Sequence, residues 1–276
     1  MPELPEVETI RRTLEPCLIG RAIERVEVLR PKQLGNVTPA DLARRLVGRR
    51  IEGVGRRGKY LLVHLEGGEV LVFHLRMTGR LIFYPEGAPI TPYTRLVLGL
   101  TSPAELHLHD VRSFAVLWLT TEDKVNALPG LAALGPEPLE PSFTPQGLKA
   151  ALAGRRSSIK SLLLNQETVA GLGNIYADEA LFRAGINPLR PGNSLTPEEV
   201  NGLWRAIREV LEEAISSGGT SFRDYVDGRG RPGAFQTRLS VYGRKGEPCR
   251  RCGTPLVGAR LGGRSTVYCP RCQPLS

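Results

Sequence analysis

The chain has 276 residues, of which 41% are hydrophobic and 24% are charged. This composition is typical of a globular protein of one or two domains, and it excludes a disordered or low-complexity chain. No apolar run approaches the roughly 18 residues of a membrane-spanning helix. Because the sequence opens with MPELPEVE, which is acidic and interrupted by proline, we expect no signal or transit peptide and a cytoplasmic protein.

The net charge of +9 is concentrated towards the C-terminus. Residues 219–276 contain 11 Lys and Arg against 3 Asp and Glu, whereas the first 218 residues contain 26 against 25. A basic segment of this kind is typical of a surface that binds nucleic acid or another polyanion. A solvated arginine-rich face is the alternative that composition leaves open.

The N-terminal half is predicted to be one helix followed by many strands. Apolar residues at helical spacing predict a helix over residues 3–19, which Gly20 ends. Gly67-Gly68 lies between two strand-like runs and predicts a hairpin. The predicted strands are 22–30, 59–66, 69–75, 80–84, 94–100, 105–109 and 114–119. Short strands at this density favour a β-sandwich.

The sequence becomes helical after a stretch that is rich in Pro and Gly. The longest predicted helix opens with a capping box formed by Thr196 and Glu199. The GLGN turn at 171–174 separates two shorter helices. It is either a plain tight turn or a place where backbone amides meet phosphate oxygens. We therefore expect four segments: a β domain at 1–130, a linker at 131–144, a helical domain at 145–238 and a metal module at 239–276.

Four of the five cysteines form two CxxC pairs, at Cys249, Cys252, Cys269 and Cys272. This spacing is typical of a structural zinc ribbon with four thiolate ligands, and a module this short needs the metal to fold. The residues between the pairs predict a hairpin around Gly262-Gly263. Two disulfides are the alternative, which a reducing compartment disfavours. A catalytic zinc needs an open position that four thiolates do not leave. The remaining Cys17 is expected to be a small buried hydrophobe.

The four histidines lie in the predicted strands, at His64, His74, His107 and His109. A metal site is one interpretation of this group. We expect core or hydrogen-bonded histidines instead, because no third ligand of suitable spacing is nearby.

The chain terminus combines Pro2 with the acidic residues Glu3 and Glu6. Proline and acidic residues suit the start of a helix, which is the simple interpretation. If Met1 is removed, however, Pro2 becomes a secondary amine that can attack an electrophilic sugar carbon and form an iminium. The positive end of the helix favours the uncharged amine, and Glu3 can move protons. The residues alone leave both interpretations open.

Several uncommon strings occur in order along the chain: MPELPEVETIRR, GRRGKYLL, HLRMTGRL, DVRSF, GLGNIYADE, VYGRKGEPC and GRSTVYCPRCQ. From residue 2 to the last cysteine, the chain resembles the bacterial formamidopyrimidine-DNA glycosylases, which repair 8-oxoguanine and formamidopyrimidines. The resemblance implies an α+β protein with an N-terminal β-sandwich and flanking helices, a helix–two-turn–helix domain and a zinc-ribbon hairpin. It also implies one structural Zn²⁺ and a nucleoid-associated monomer that binds duplex DNA containing oxidised bases or abasic sites.

The resemblance implies a bifunctional glycosylase and abasic-site lyase. Pro2 is expected to attack C1′ of the damaged nucleoside, and the resulting iminium permits β- and then δ-elimination. Glu3 is expected to donate a proton in base release and Glu6 to support the geometry. Lys59 matches a lysine that contacts DNA phosphate and assists β-elimination. Arg264 matches an arginine that contacts phosphate and assists δ-elimination.

The target base lies inside a duplex and must be flipped out, so other residues must fill the gap. The resemblance assigns this wedge to Met77, Arg112 and Phe114, although Met77 and Phe114 alone would be interpreted as core. The loop 217–237 matches one that covers the flipped base, and its glycine content predicts mobility until DNA binds. The other expected DNA contacts are Tyr93, Arg155, Lys160 and Asn174.

The chain departs from the family pattern at four positions. Tyr93 stands where members often carry a DNA-binding histidine, and the usual DPRRFG reads DVRSFA, with Val111, Ser113 and Ala115 as the changes. These departures put the contact at position 93 and the geometry of the wedge loop in question. An endonuclease VIII-like glycosylase for oxidised pyrimidines and a non-catalytic zinc-finger DNA-binding protein are the alternatives. The Arg112 and Phe114 pair favours the purine branch.

Overall fold

The structure is a computed structural model that describes residues 1–101 and 103–275. The chain divides into two compact units, Met1–Ala132 with Ser217–Gln236 and Ala133–Ser216 with Thr237–Ser276. The loop that we expected in the helical domain thus belongs to the first unit. Among the described residues, no helix is both long and apolar enough to span a bilayer.

The first unit is built on two antiparallel four-stranded sheets, which confirms the predicted β-sandwich. Its helices are α1 (Leu4–Leu18) and α2 (Pro39–Leu46). Its strands are β1 (Ile23–Val28), β2 (Ile51–Arg57), β3 (Tyr60–Leu65), β4 (Glu69–His74), β5 (Gly79–Tyr84), β6 (Thr94–Leu100), β7 (Glu105–Asp110) and β8 (Val116–Thr121). The strand orders are β1-β6-β7-β5 and β2-β3-β4-β8.

The core of this unit follows from alternation in the strands and from the apolar stripe of α1. Leu61, Val63 and Leu65 of β3 are at most 1% exposed, as are Ile10 and Leu14 of α1. Helix α1 packs against β2 and β3. The helix that carries the chain terminus is therefore fixed to the strand pair that carries Lys59.

Two elements of the first unit are absent from the sequence prediction. Strand β2 has the sequence IEGVGRR, in which two glycines and two arginines hide the alternation. Helix α2 spans 8 residues and buries Leu42 and Leu46. Both elements depend on tertiary packing, because their local signals are weak.

The second unit contains helices and one hairpin. Its elements are α3 (Pro145–Leu152), α4 (Ile159–Leu164), α5 (Asn174–Ala184), α6 (Pro197–Ser216), β9 (Val257–Leu261) and β10 (Arg264–Tyr268). The predicted capping box is confirmed, since the Glu199 amide donates to Thr196 Oγ1 at 3.2 Å and the Thr196 amide donates to Glu199 Oε2 at 2.8 Å. The predicted zinc-module hairpin is also confirmed, with Leu261 opposite Arg264.

Candidate active site

The chain terminus is folded into the first unit. Met1 is 45% exposed, whereas Pro2 is buried. Glu3 and Glu6 are buried as well. Helix α1 begins at Leu4, so Pro2 and Glu3 immediately precede its positive end, as predicted. Removal of Met1 would make the Pro2 nitrogen a secondary amine, next in sequence to the buried Glu3.

Glu6 uses its two carboxylate oxygens to join distant parts of the chain. Oε2 accepts a hydrogen bond from the Glu3 amide at 2.8 Å, and Oε1 accepts one from the Thr220 amide at 2.8 Å. The Tyr225 hydroxyl donates to the Gly218 carbonyl at 3.1 Å, and it lies 3.4 Å from the Glu6 carbonyl. Glu6 thereby joins the segment next to Pro2 to the loop that begins at Ser217.

Two glycines allow the two ends of this loop to lie close together at its base. A Cβ added to Gly233 would lie 2.2 Å from the Gly219 carbonyl oxygen. Gly219 has a φ of 81°, and a Cβ there would lie 3.0 Å from Glu6 Oε1. Neither position accepts a larger residue without movement of the backbone.

The loop is anchored above its base as well. Ser221 Oγ donates to the Tyr225 carbonyl at 2.8 Å and accepts from the Gly233 amide at 2.9 Å. Further along, the Gly228 amide donates to Thr13 Oγ1 at 3.0 Å. Phe222 lies between these anchors with its side chain 55% exposed. The sequence predicts mobility for this loop until DNA binds, and these hydrogen bonds tie its base to Tyr225 and its far part to α1.

Lys59 occupies a two-residue turn between β2 and β3. Arg57 pairs with Tyr60 across the turn, and Gly58 has the left-handed φ of 56° that closes it. Lys59 is 8% exposed, so the side chain is largely buried. The structure therefore brings Pro2, Glu3, Glu6 and Lys59 into one unit.

His74 lies next to this turn, because Tyr60 pairs with His74 between β3 and β4. Burial and the charges of Arg76 and Lys59 lower the pKa of His74 to about 3. The imidazole is therefore neutral at physiological pH, and His74 Nδ1 accepts a hydrogen bond from the Arg76 amide at 3.1 Å.

Met77, Arg112 and Phe114 form an exposed side-chain cluster. Met77 is 43% exposed and Phe114 is 49% exposed, which excludes the interpretation of both as core. The Arg112 guanidinium lies 4.8 Å from the Phe114 ring centroid, and Arg112 Nη1 lies 3.3 Å from Met77 Sδ. Such a cluster has the apolar surface and the hydrogen-bond donors that a duplex wedge needs.

Asp110 holds this cluster in place, and our sequence reasoning assigned it no role. It is 0% exposed, and its carboxylate accepts hydrogen bonds from the Arg112 amide at 3.2 Å and the Ala115 amide at 2.7 Å. It also accepts one from the Thr78 hydroxyl, next to Met77. An aspartate two residues before Arg112 is the local turn signal that predicts such bonds.

The backbone beside the cluster is strained. Arg76 (φ 54°) and Ser113 (φ 56°) are the non-glycine residues with positive φ in the described parts of the chain. Arg76 precedes Met77, and Ser113 separates Arg112 from Phe114. Strained residues of this kind cluster at functional sites, where they aim the neighbouring side chains.

Tyr93 is 50% exposed on the same unit. Together with Arg80 and His109 it lines a cavity of about 210 Å³. Burial and nearby positive groups lower the pKa of His109 to about 4. His109 is therefore neutral, and Nε2 lies 3.2 Å from the Tyr84 hydroxyl.

The other histidines are also hydrogen-bonded, as predicted. His107 is 0% exposed, and its Nε2 lies 2.7 Å from Glu105 Oε2. His64 Nδ1 pairs with Glu122. Over residues 1–101 and 103–275, the metal-type cluster that the structure shows consists of cysteines rather than histidines.

In the second unit, Asn174 and Arg264 come together at the hairpin. Asn174 is the first residue of α5, and its Nδ2 donates to the Ser265 carbonyl at 3.1 Å. Arg264 is adjacent to Ser265 and exposed beside the turn. Arg155 is exposed as well, in the segment between α3 and α4. Arg264 and Arg155 are thus open to an external partner, whereas Asn174 is half-buried.

Lys160 is a buried residue of the second unit. Its side chain is 0% exposed. Lys160 Nζ donates to the Ser265 carbonyl at 2.8 Å and to Thr266 Oγ1 at 2.7 Å, and it lies 2.7 Å from Asp178 Oδ1. Burial raises the pKa of Asp178 to about 7, although Lys160 opposes the shift. The ammonium group is buried and bonded to β10 and α5 in this structure, and the expected phosphate contact stays a prediction.

The four cysteine sulfurs fit one zinc ion. They lie within 4.8 Å of one another, with Cys249 Sγ 3.9 Å from Cys272 Sγ and Cys252 Sγ 3.5 Å from Cys269 Sγ. Thiolates at about 2.3 Å from a tetrahedral Zn²⁺ are about 3.8 Å apart, whereas a disulfide needs about 2.05 Å. The fifth cysteine, Cys17, is half-buried on α1 and its thiol lies 3.4 Å from the Thr13 carbonyl.

Models of three families match the chain. The formamidopyrimidine-DNA glycosylase N-terminal domain matches residues 1–117, the formamidopyrimidine-DNA glycosylase H2TH domain matches 134–226, and the zinc finger found in FPG and IleRS matches 246–275. The chain belongs to the formamidopyrimidine-DNA glycosylase family. The family accounts for the helix–two-turn–helix arrangement of α4 and α5 and for the cysteine module.

Named formamidopyrimidine-DNA glycosylases and their structures are similar along the whole chain. The Moorella thermoacetica protein is 57% identical over 260 residues, which are 94% of this chain and 95% of that protein. The crystal structure of the Thermus thermophilus protein (MutM, Fpg) has a TM-score of 0.89 at 45% identity and covers 100% of both chains. A Lactococcus lactis Fpg mutant in complex with a Fapy-dG containing DNA has a TM-score of 0.93 at 37% identity, covering 99% of this chain and 100% of that one.

Proposed function

We propose that the protein is a base-excision repair enzyme that removes 8-oxoguanine and formamidopyrimidines from duplex DNA and then cleaves the abasic site. It is a bifunctional DNA glycosylase and abasic-site lyase. We place it in the cytoplasm, associated with the nucleoid, because its substrate is there. The zinc ion is structural and takes no part in the reaction.

The observation that carries the proposal is the burial of Pro2 at the start of α1, next to two buried acidic residues. A proline so placed has a structural use as a helix start, but a buried glutamate pair beside it is costly unless the pair has partners. Glu6 has them in the Glu3 and Thr220 amides. Burial and the positive end of α1 favour the uncharged form of a secondary amine at this place, and Glu3 lies next to it in the sequence as a proton donor.

In the proposed reaction, the Pro2 nitrogen forms a bond to C1′ while the bond from C1′ to the damaged base breaks. Glu3 supplies the proton that the leaving base takes up. The nitrogen then loses its own proton and forms a C1′=N iminium as the C1′–O4′ bond of the sugar breaks and O4′ takes up a proton. The iminium makes a C2′ proton acidic enough to be lost. The 3′ phosphate leaves by β-elimination and the 5′ phosphate by δ-elimination, assisted by Lys59 and Arg264 respectively.

The remaining residues hold the DNA. Met77, Arg112 and Phe114 occupy the gap left by the flipped base, and Arg112 can hydrogen-bond the orphaned partner base. Tyr93, Arg155 and Asn174 contact phosphates, which position the strand without reading its sequence. The loop Ser217–Gln236 covers the flipped base.

Borohydride trapping on DNA containing 8-oxoguanine opposite cytosine tests the proposal. We expect a covalent complex with the protein that has lost Met1, weaker trapping for Pro2→Gly, and none when Met1 is retained. Full trapping with Met1 in place would falsify the role of Pro2.

The two alternatives are tested in the same assay. A Lactococcus lactis Fpg is solved in complex with an oxidised pyrimidine containing DNA, so the comparison must include a pyrimidine lesion. A strong preference for thymine glycol over 8-oxoguanine would support the endonuclease VIII-like alternative. Binding without any trapped complex would support the non-catalytic alternative.

A further inference from the structure

One guanidinium joins the turn that carries Lys59 to the helix that carries the chain terminus. Arg56 Nε donates to Glu8 Oε2 on α1 at 3.1 Å. Arg56 Nη1 donates to the Gly58 carbonyl at 3.0 Å. Gly58 immediately precedes Lys59. The planar fork of Arg56 therefore bonds at the same time to the helix and to the turn.

This ion pair is enclosed by the protein. The Arg56 and Glu8 side chains are 9% and 10% exposed. Burial raises the pKa of Glu8, but hydrogen bonds from Arg11 and Arg12 and the charge of Arg56 outweigh it, and the pKa falls to about 2. Glu8 is thus a carboxylate at every pH at which the enzyme works. A pair that is shielded from water in this way holds its geometry better than a surface pair does.

The connection spans the two groups that must act on one nucleotide. Helix α1 begins two residues after Pro2, and Glu8 lies in its second turn. Helix α1 is rigid, so Glu8 has a fixed position relative to Pro2. The hydrogen bond from Arg56 to the Gly58 carbonyl in turn fixes the peptide that precedes Lys59. A displacement of about 1 Å between reacting groups can cost about 100-fold in rate.

We infer that Glu8 and Arg56 are positioning residues of the lyase reaction, which set Lys59 relative to Pro2. The inference rests on the proposed function, and neither residue touches the reacting atoms. Its specific consequence is that loss of the pair slows elimination after the Schiff base has formed and leaves DNA binding nearly unchanged.

The test compares Arg56→Lys with Arg12→Lys in the full-length, zinc-containing protein on duplex DNA with a preformed abasic site. Lysine keeps the charge but cannot bond to Glu8 and the Gly58 carbonyl together. Arg12 bonds to Glu8 as well, but from a side chain that is 58% exposed. For Arg56→Lys we expect kcat of strand cleavage to fall by about 10- to 100-fold, with KM within about threefold of wild type. Arg12→Lys should stay within about twofold in both.

Glu8→Gln is the second variant, and it decides the outcome if Arg56→Lys does not fold. Its matched control is Glu15→Gln, since Glu15 also bonds to an arginine of α1 but is 41% exposed. Glu8→Gln should slow cleavage by about tenfold, while borohydride still traps the Schiff base. Wild-type kcat in folded Glu8→Gln, or a loss confined to KM, would overturn the inference. If the wild-type protein itself forms no trapped complex, it is the proposed function that fails.

Discussion

The Glu6 carboxylate accepts a hydrogen bond from the Thr220 amide at 2.8 Å, although 214 residues of sequence separate the two. The other carboxylate oxygen binds the Glu3 amide. One buried side chain thus fixes both the peptide next to the proposed nucleophile and the base of the loop that we propose covers the substrate.

Glu6→Gln tests this connection. Glutamine replaces one of the two oxygens with an NH₂ group, so one buried amide loses its charged acceptor, at a cost of about 1.5–3 kcal/mol. We expect single-turnover excision of 8-oxoguanine to slow by about 10- to 100-fold. Glu15→Gln, on the exposed side of the same helix, should leave the rate unchanged. Equal rates for the two variants would show that the connection does not matter to catalysis.

Lys160→Met distinguishes a buried ion pair from a phosphate contact. The substitution leaves Asp178 without its cation, so we expect a loss of about 3 kcal/mol in the free energy of unfolding in urea. Lys149→Met removes an exposed lysine of the same unit and should change stability by less than about 0.5 kcal/mol. If Lys160→Met instead weakened DNA binding and left the free energy of unfolding unchanged, the result would support a direct contact between Lys160 and a DNA phosphate.

Ser113 is expected to respond to substitution according to its backbone angle. Because its φ is 56°, Ser113→Gly relieves strain and should raise the free energy of unfolding by up to about 1 kcal/mol. Ser113→Val places a β-branched residue there and should lower it by about 2 kcal/mol and slow excision. Ser157→Gly, at an exposed position without a positive φ, should be mildly destabilising. If glycine changed the free energy of unfolding equally at both positions, the inference of backbone strain at Ser113 would be contradicted.

Stability should fall as the pH drops below the ordinary histidine range. The folded-state pKa values of His74 and His109 lie at about 3 and about 4, against 6.5 for the free side chain. A lowered histidine pKa means that its contribution is complete above pH 6.5 and is lost as pH falls towards those values. Glu8, with its pKa at about 2 against 4.5, adds a further loss below pH 4.5.

His74→Gln checks the assignment of this pH dependence. Glutamine can accept the Arg76 amide hydrogen bond but cannot take up a proton. We expect urea unfolding of the variant to depend less steeply on pH between 6.5 and 4 than that of wild type. A slope equal to that of wild type would assign the acid sensitivity to other groups.

Removal of zinc should affect the second unit first. Chelation or Cys252→Ser leaves the hairpin β9–β10 without the ion that closes it, so Arg264 loses its fixed position. We expect DNA binding to fail while the β-sheets of the first unit keep their circular-dichroism signal. Cys17→Ser, at the cysteine outside the metal group, serves as the control. Unchanged DNA binding without metal would refute the structural role of zinc.

Much of the fold follows from local sequence signals. Periodicity predicted α1 and most strands, cysteine spacing predicted the metal site, and Gly262-Gly263 predicted its hairpin. Strand β2 and helix α2 were not predicted, because their local sequence patterns are weak and packing against neighbouring elements determines their structure. The candidate site came mainly from the family resemblance. The burial of Lys160 and the bond between Glu6 and Thr220 depend on contacts between distant segments, which no local pattern contains.

The first unit is discontinuous in sequence, since Ser217–Gln236 belongs to it although the flanking residues belong to the second. No single cut of the chain therefore yields a complete first unit. A fragment that ends at Ala132 would have the proposed nucleophile and the turn of Lys59, but Glu6 would lack the Thr220 amide. If two relatives exchanged segments at that boundary, the N-terminal helix of one protein would be combined with the loop Ser217–Gln236 of the other. The loop and the N-terminal helix must then be inherited, or transplanted, as a matched pair.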